Sequence, residues 1–365
     1  MDFELTTVLL FVFAIGLAFF NGGNDNLKGV ATLLGSNVLS YRQGLVLASV
    51  ATIAGSVASI FLASGLLKAF SGKGLVPDDL TQSLQFITAV SGAAMFTVAI
   101  ATRVGLPIST THALVGGLIG AGLALSPEAL QLNVLGKAFF LPLIISPVIA
   151  LVLALVLSKL FAERLNKKAS ERNACICVTY VVGISADGVA MAQSQLVLGD
   201  STSCPAPSHT ALIKTSAAQW LDGLHIFSGA AVCFARGLND TPKIAALLLL
   251  GHLSGASASS LVAVAMLLGG ILTAKRVAKT MSQDITKMNA QEGLTTNLVT
   301  SILVITASKY GLPVSTTHVS CGALFGLAAG KGQPQWRTIT GIVLSWLGTL
   351  PLAIFIAYVL SMVLS

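Results

Sequence analysis

Apolar residues run along this chain in long blocks, broken by short polar punctuation. The blocks cover 5–21, 43–67, 84–102, 108–126, 134–158, 223–235, 242–273, 294–308, 313–330 and 338–364. A helix needs about 20 such residues to cross a bilayer core, and several blocks are short or interrupted by Gly and Pro. A membrane β-barrel would instead alternate over segments of about ten residues. The pattern predicts an all-α polytopic membrane protein with about 10–12 membrane segments.

Between Lys159 and Asp222 the pattern changes. Lys159 to Asn173 reads as a polar helix leaving the membrane. Cys175–Ile184 is β-branched, Ser185 to Gly188 is a turn signal, and Val189 to Leu198 reads as a second strand, so a small extramembrane hairpin is expected. Ser201 to Ser208 reads as loop. The expected division is a first membrane repeat over 1–158, a connecting segment over 159–222 and a second membrane repeat over 223–365.

Composition narrows the class. Of the 365 residues, 54% are hydrophobic and 10% charged, against roughly 25% charged in soluble domains. Mean hydropathy is +0.85. A soluble enzyme, a disulfide scaffold and a disordered chain are excluded. Net charge is +7, and its placement carries the information. Arg164, Lys167, Lys168 and Arg172 form one basic cluster; Lys275, Arg276, Lys279 and Lys287 form another. Basic loops stay in the cytoplasm. The expectation is a multi-pass protein of the cell inner or plasma membrane, with termini outside and the connecting segment cytoplasmic. The bilayer is its main partner. Nucleic acid is not, because the basic runs lack interleaved aromatics. The first apolar run has no basic stretch ahead of it, so no cleavable signal peptide is expected. Cys233 and Cys321 read as packing residues, and Cys175-Ile176-Cys177 has the wrong spacing for zinc. No metal site is expected.

The chain repeats itself. Ala101 to His112, ATRVGLPISTTH, recurs as Ala307 to His318, ASKYGLPVSTTH, identical at eight of twelve positions. Asn24-Asp25-Asn26-Leu27-Lys28 is answered by Asn239-Asp240-Thr241-Pro242-Lys243. Each half carries N-D-x-x-K first and G-L-P-x-S-T-T-H second. Repeated halves with broken hydrophobic segments point to a secondary transporter with its site at the repeat interface.

Gly105 can end one helix and Pro107 can occupy the first turn of the next. Ser109, Thr110 and Thr111, and in the second copy Ser315, Thr316 and Thr317, then fall at a helix N-terminus. There the free N–H groups and the dipole favour an anion such as phosphate. Asp25 and Asp240 read as N-caps, with Pro242 at a helix start. Lys28 and Lys243 lie three residues later, placing an ammonium beside each carboxylate. Asn24 and Asn239 offer carbonyls to a cation or to a hydroxyl of an oxyanion. The plainer alternatives are hydroxyls that only cap a turn and Asp–Lys pairs that only neutralise themselves. For His112 and His318 the structural role, locking a broken helix, is favoured over titration. No nucleophile–base pair, phosphate loop or metal motif appears, so an enzyme is not expected.

These residues resemble the inorganic phosphate transporter (PiT) family, sodium- or proton-coupled secondary transporters. Its hallmark is a G-x-N-D motif followed by G-x-P-x-S-T-T-H, twice. Here these are Gly22 to Asp25 with Gly105 to His112, and Gly237 to Asp240 with Gly311 to His318. The resemblance implies two inverted repeats with broken or re-entrant helices. It implies import of inorganic phosphate by alternating access. The substrate-binding set would be Ser109, Thr110, Thr111, Ser315, Thr316, Thr317, Lys28 and Lys243. The coupling-ion or proton set would be Asn24, Asp25, Asn239 and Asp240. No cofactor is implied beyond a coupling H+ or Na+. Many relatives carry Asn where this chain has Lys28, and a fixed ammonium can replace a bound sodium ion, which favours protons. Arsenate or sulfate are alternative cargoes, an anion channel is the alternative from another class, and a homodimer is entertained as the assembly.

Overall fold

The computed structural model describes residues 3–71, 74–166, 174–184, 190–200, 214–249 and 253–365. Among the described residues the membrane part is built of helices joined by short links. In the first half, α1 (Phe3–Asp25), α2 (Ala31–Gly35), α3 (Tyr41–Leu62), α4 (Ser64–Ala69), α5 (Asp78–Thr81), α6 (Leu84–Val104) and α7 (Thr110–Leu125) are followed by α8 (Leu132–Val134) and α9 (Leu141–Asn166). In the second, α10 (Ala217–Leu248), α11 (Gly255–Thr273) and α12 (Lys275–Lys279) lead to α13 (Ala290–Lys309), α14 (Thr316–Gly330) and α15 (Trp336–Leu364). Among the described residues six helices are long and apolar enough to cross a membrane: those covering Glu4–Asp25, Tyr41–Leu62, Leu84–Val104, Leu135–Leu160, Gly255–Thr273 and Trp336–Leu364. Their outer faces carry exposed apolar side chains such as Val50, Phe61, Ile144, Val148, Leu347 and Phe355, which in a polytopic chain is the surface that lipid covers.

The connecting segment holds the expected hairpin. Strand β1 (Ala174–Ile184) pairs antiparallel with β2 (Ala190–Asp200), and β3 (Lys214–Ser216) adds to the other edge of β1. The turn at Ser185 to Gly188 and the loop at Ser201 to Ser208 lie outside the described residues, as does the end of the polar helix beyond Asn166.

Two boundaries differ from the sequence reading. The polar Asn239-Asp240-Thr241-Pro242 run does not start a helix; it lies inside α10, which continues through Pro242 to Leu248. Pro242 cannot donate to the carbonyl four residues back, and a packed membrane helix tolerates that because neighbours satisfy the freed group. The apolar stretch 242–273 is therefore divided between α10 and α11.

The helices pack in matched pairs drawn from opposite halves. α1 lies against α11 and α10 against α3; α7 lies against α15 and α14 against α9. The close approaches recur as well. A Cβ on Gly22 would overlap the Met266 carbonyl, and one on Gly237 would overlap that of Thr52. Gly116 and Gly120 sit on the carbonyls of Leu350 and Ile354, as Gly322 and Gly326 sit on those of Pro147 and Leu151. Small residues four apart let two membrane helices touch at the backbone. The sequence repeat is thus also a repeat of packing, with each half completing the other.

Candidate functional site

The motifs meet at the centre. α6 ends on Gly105, whose φ of 83° is left-handed. The amides of Gly105 and Leu106 both return to the Ala101 carbonyl, which stops the helix as a C-terminal glycine does. An extended link over 106–109 follows, and α7 begins at Thr110. Pro107 lies in this link, not in the first turn of the helix. Ser109 is the N-cap, accepting from the His112 amide at 3.0 Å. The second copy repeats this at Gly311 (φ 68°) and Ser315, which accepts from the His318 amide at 3.2 Å.

Asp25 is the last residue of α1 and Asp240 is interior to α10, so neither is an N-cap. Their placement comes from the adjacent asparagines. Asn24 donates to the Leu106 carbonyl at 3.0 Å and accepts from the Ile108 amide at 3.2 Å. Asn239 donates to the Val314 carbonyl at 3.2 Å and accepts from Ser308 at 3.1 Å. Each asparagine ties the N-D segment to the link in its own half.

The lysines tie the halves together. Lys28 Nζ contacts the Asp25 carboxylate and donates to Asn24 at 2.9 Å and to Thr317 Oγ1, from the other half, at 2.6 Å. Lys243 Nζ lies 3.5 Å from Asp240 Oδ1 and donates to Val314 O at 2.7 Å and to Thr111 Oγ1, again from the other half, at 2.8 Å. The threonines cross in the same way: Thr111 donates to the Val314 carbonyl and Thr317 to that of Ile108. Two helix N-termini and two ammonium groups therefore converge on one buried point. That arrangement suits an oxyanion.

A model of the phosphate transporter family matches residues 21–357. The chain belongs to the phosphate transporter family. This is a family of transporters and not of enzymes. A Bacillus subtilis protein named "Probable low-affinity inorganic phosphate transporter" is 25% identical over 363 residues, covering 96% of this chain and 94% of that one. A Mycobacterium bovis protein of the same name is 24% identical over 368 residues, covering 97% and 76%. The solved structure titled "The sodium-dependent phosphate transporter" shares the fold, with a TM-score of 0.77 at 21% identity over 99% of each chain.

The transporter's centre also holds two residues that the sequence reading missed, Asn21 and Arg236. Each stands four residues ahead of an aspartate, at matching places in the two halves. Asn21 Nδ2 donates to Thr110 Oγ1 at 2.8 Å and approaches the Oδ2 atoms of Asp25 and Asp240 at 3.3 and 3.4 Å. Arg236 donates to Asn21 Oδ1 at 2.7 Å and to Asn26 Oδ1 at 3.2 Å, with its Nε 3.7 Å from Asp240 Oδ2. A charged side chain four residues before the aspartate of the second N-D was the available signal; it fell at the edge of an apolar block. Among the described residues the centre then holds three buried cations, Lys28, Lys243 and Arg236, and two buried carboxylates, Asp25 and Asp240. One positive charge is left over in a medium where unpaired charge is costly.

His112 and His318 meet edge to face, ring centroids 4.4 Å apart. His318 packs on Trp346 at 4.0 Å, and the Trp346 indole donates to the Pro107 carbonyl at 3.0 Å. The pair sits where the two helix starts touch. Cys233 and Cys321 are buried free thiols. No cluster of metal-ligating side chains occurs among the described residues.

Proposed function

We propose that the transporter imports inorganic phosphate by alternating access, with the anion held between Thr110, Thr111, Thr316, Thr317, Lys28 and Lys243. Ser109 and Ser315 support the same site as caps that fix the two helix starts. The observation that carries this reading is the crossed pair of contacts, Lys28 to Thr317 and Lys243 to Thr111. Each half supplies a cation to the other half's helix start, so an anion entering between them would loosen or tighten the halves against one another. The relatives' names point to the same cargo.

The halves are read as inverted repeats, with termini outside and the connecting segment and Lys275–Lys279 in the cytoplasm. Asp25 and Asp240 are the proton or coupling-ion residues. Protons are favoured over sodium, because the Lys28 ammonium sits at the Asp25 carboxylate and would repel a cation about 4 Å away by about 4 kcal/mol at an effective dielectric near 20.

Uptake of radiolabelled phosphate into proteoliposomes tests this, with pH and sodium gradients imposed separately and sulfate as competitor. A pH gradient alone should drive uptake, and Lys28→Asn should acquire a sodium requirement. Phosphate and arsenate should be taken at least about tenfold better than sulfate, which cannot donate to an aspartate acceptor. Equal inhibition by sulfate would move the assignment to a sulfate carrier. Uptake that needs sodium and ignores the pH gradient would overturn proton coupling.

A further inference from the structure

The interface between α10 and α13 differs in kind from its counterpart between α1 and α6. In the first half it is built from Leu10, Ile87, Val90 and Ala94, all buried in the main apolar core. In the second half the matching places hold His225, Gly293, Thr296 and Thr300. His225, Thr296 and Thr300 are buried. His225 is fully buried, with Nε2 3.0 Å from Thr32 Oγ1 and Nδ1 without a partner. Its ring occupies the space that a Cβ on Gly293 would need, so glycine there makes the room. Polar contacts continue along the two helices: Asn297 donates to Ser228 at 3.3 Å, and Ser308 donates to Asn239 at 3.1 Å. Buried Ser301 lies between them.

We propose that His225 is a proton-carrying residue, set in a polar seam that joins the Glu292–Lys331 face of the molecule to Asn239 and Asp240. An ionisable side chain within membrane helices faces a cavity, a partner or a pathway, and nothing in the helix packing requires one here, since leucine fills the same place in the other half. His225 lies about 22 Å along α10 from Asp240 at 1.5 Å per residue. The hydroxyls of Thr296, Thr300 and Ser301 donate to carbonyls of their own helix and keep lone pairs to offer, so the proton would cross on water admitted between α10 and α13 when the seam opens. A proton leaving the Asp240 carboxyl would be accepted at Nδ1 of His225. The imidazolium would return a proton to water at the far end, beside Gly293. Only O–H and N–H bonds form and break. The ionisable residues nearest to this contact along the packed helices are Asp222, three residues earlier on α10, and Glu292, next to Gly293 on α13 and paired with Lys331 at 2.9 Å. α2 carries none.

The proposal rests on the proton-coupled transport reading. Its test uses the full chain in proteoliposomes, with His225→Gln and His225→Leu. Gln keeps a hydrogen bond to Thr32 and cannot titrate; Leu is the residue of the first half. Two rates are read for each variant: phosphate uptake driven by a pH gradient, and phosphate exchange at equal pH on both sides. Both variants should lose gradient-driven uptake severalfold and retain exchange, which also reports that they are folded. Gradient-driven uptake by His225→Gln at the wild-type rate would overturn the proposal. Loss of both rates in parallel, with a lowered unfolding temperature for Gln as well as Leu, would overturn it in favour of a packing role. Wild-type protein that responds only to sodium would instead bring down the coupling reading on which it rests.

Discussion

The two halves of this transporter build the same frame and fill it differently. Each half closes a helix on glycine, opens the next on serine and pins the link with an asparagine. Each then sends a lysine across to the other's threonine. Where the frame is shared, the side chains are those of the repeated motifs. Where it is not, the second half has gained polar groups: Arg236 against Asn21, His225 against Leu10, Trp346 against Leu143. A symmetric frame lets one anion sit between equivalent helix starts. An asymmetric filling leaves the buried centre with an excess of one positive charge.

The largest effects should come from the carboxylates. Removing one partner of a buried ion pair costs about 3–5 kcal/mol, because the other charge is left bare. Asp25→Asn leaves Lys28 uncompensated, whereas Asp240→Asn strips both Lys243, 3.5 Å away, and Arg236, 3.7 Å away. Both variants should lose coupled uptake, and Asp240→Asn should unfold at the lower temperature in detergent. Equal unfolding temperatures would show that Arg236 does not lean on Asp240, and normal coupled uptake by either would remove that carboxylate from the mechanism.

Arg236 is the next lever. Arg236→Gln removes the excess positive charge and a hydrogen bond of 2.7 Å to Asn21. With one unit of positive charge fewer around the anion, phosphate binding measured by titration calorimetry should weaken by roughly tenfold or more. Arg236→Lys should recover part of it. Unchanged affinity in the Gln variant would mean that the two lysines alone balance the anion.

Much of this frame was legible in the sequence. Gly105, Ser109 and their copies fix local backbone geometry, which is a property of a few adjacent residues. The contact of Lys28 with Asp25 follows from spacing. The crossing of the halves was not legible, because periodicity says which face of a helix is apolar and not which helix it meets. Asn239-Asp240-Thr241-Pro242 read as a break for a physical reason: proline and polar residues stop helices in water. Inside a packed bundle, the surrounding helices supply what the backbone lost, and α10 runs on. Arg236 was obscured in the same way, as a charge at the edge of an apolar block whose hydrogen-bond partners Asn21 and Asn26 come from a distant chain segment, although its aspartate stands only four residues on.

The glycine crossings test whether the frame is as symmetric as its contacts. Gly120 rests on the Ile354 carbonyl and Gly326 on that of Leu151. An added methyl at either must push two helices apart, since a backbone atom cannot step aside. Gly120→Ala and Gly326→Ala should each cost about 1–2 kcal/mol, the lower part of the range for overpacking, with unfolding shifts that agree between the two. A clear inequality would show that one half carries more of the packing than the other.

The smallest effect belongs to Trp346, and it should fall on one half only. Its indole N–H donates to the Pro107 carbonyl, which steadies the link of the first half. At the matching place in α9 stands Leu143, which has no donor to offer the second link. Trp346→Phe keeps an aromatic ring against His318 and Phe325 and removes only the hydrogen bond, a loss of about 1 kcal/mol. Amide exchange should therefore quicken at Ile108 and Thr110 and stay unchanged at Val314 and Thr316. Faster exchange at both links would mean that the ring stack through His318 and His112, rather than the indole hydrogen bond, holds the two helix starts in register.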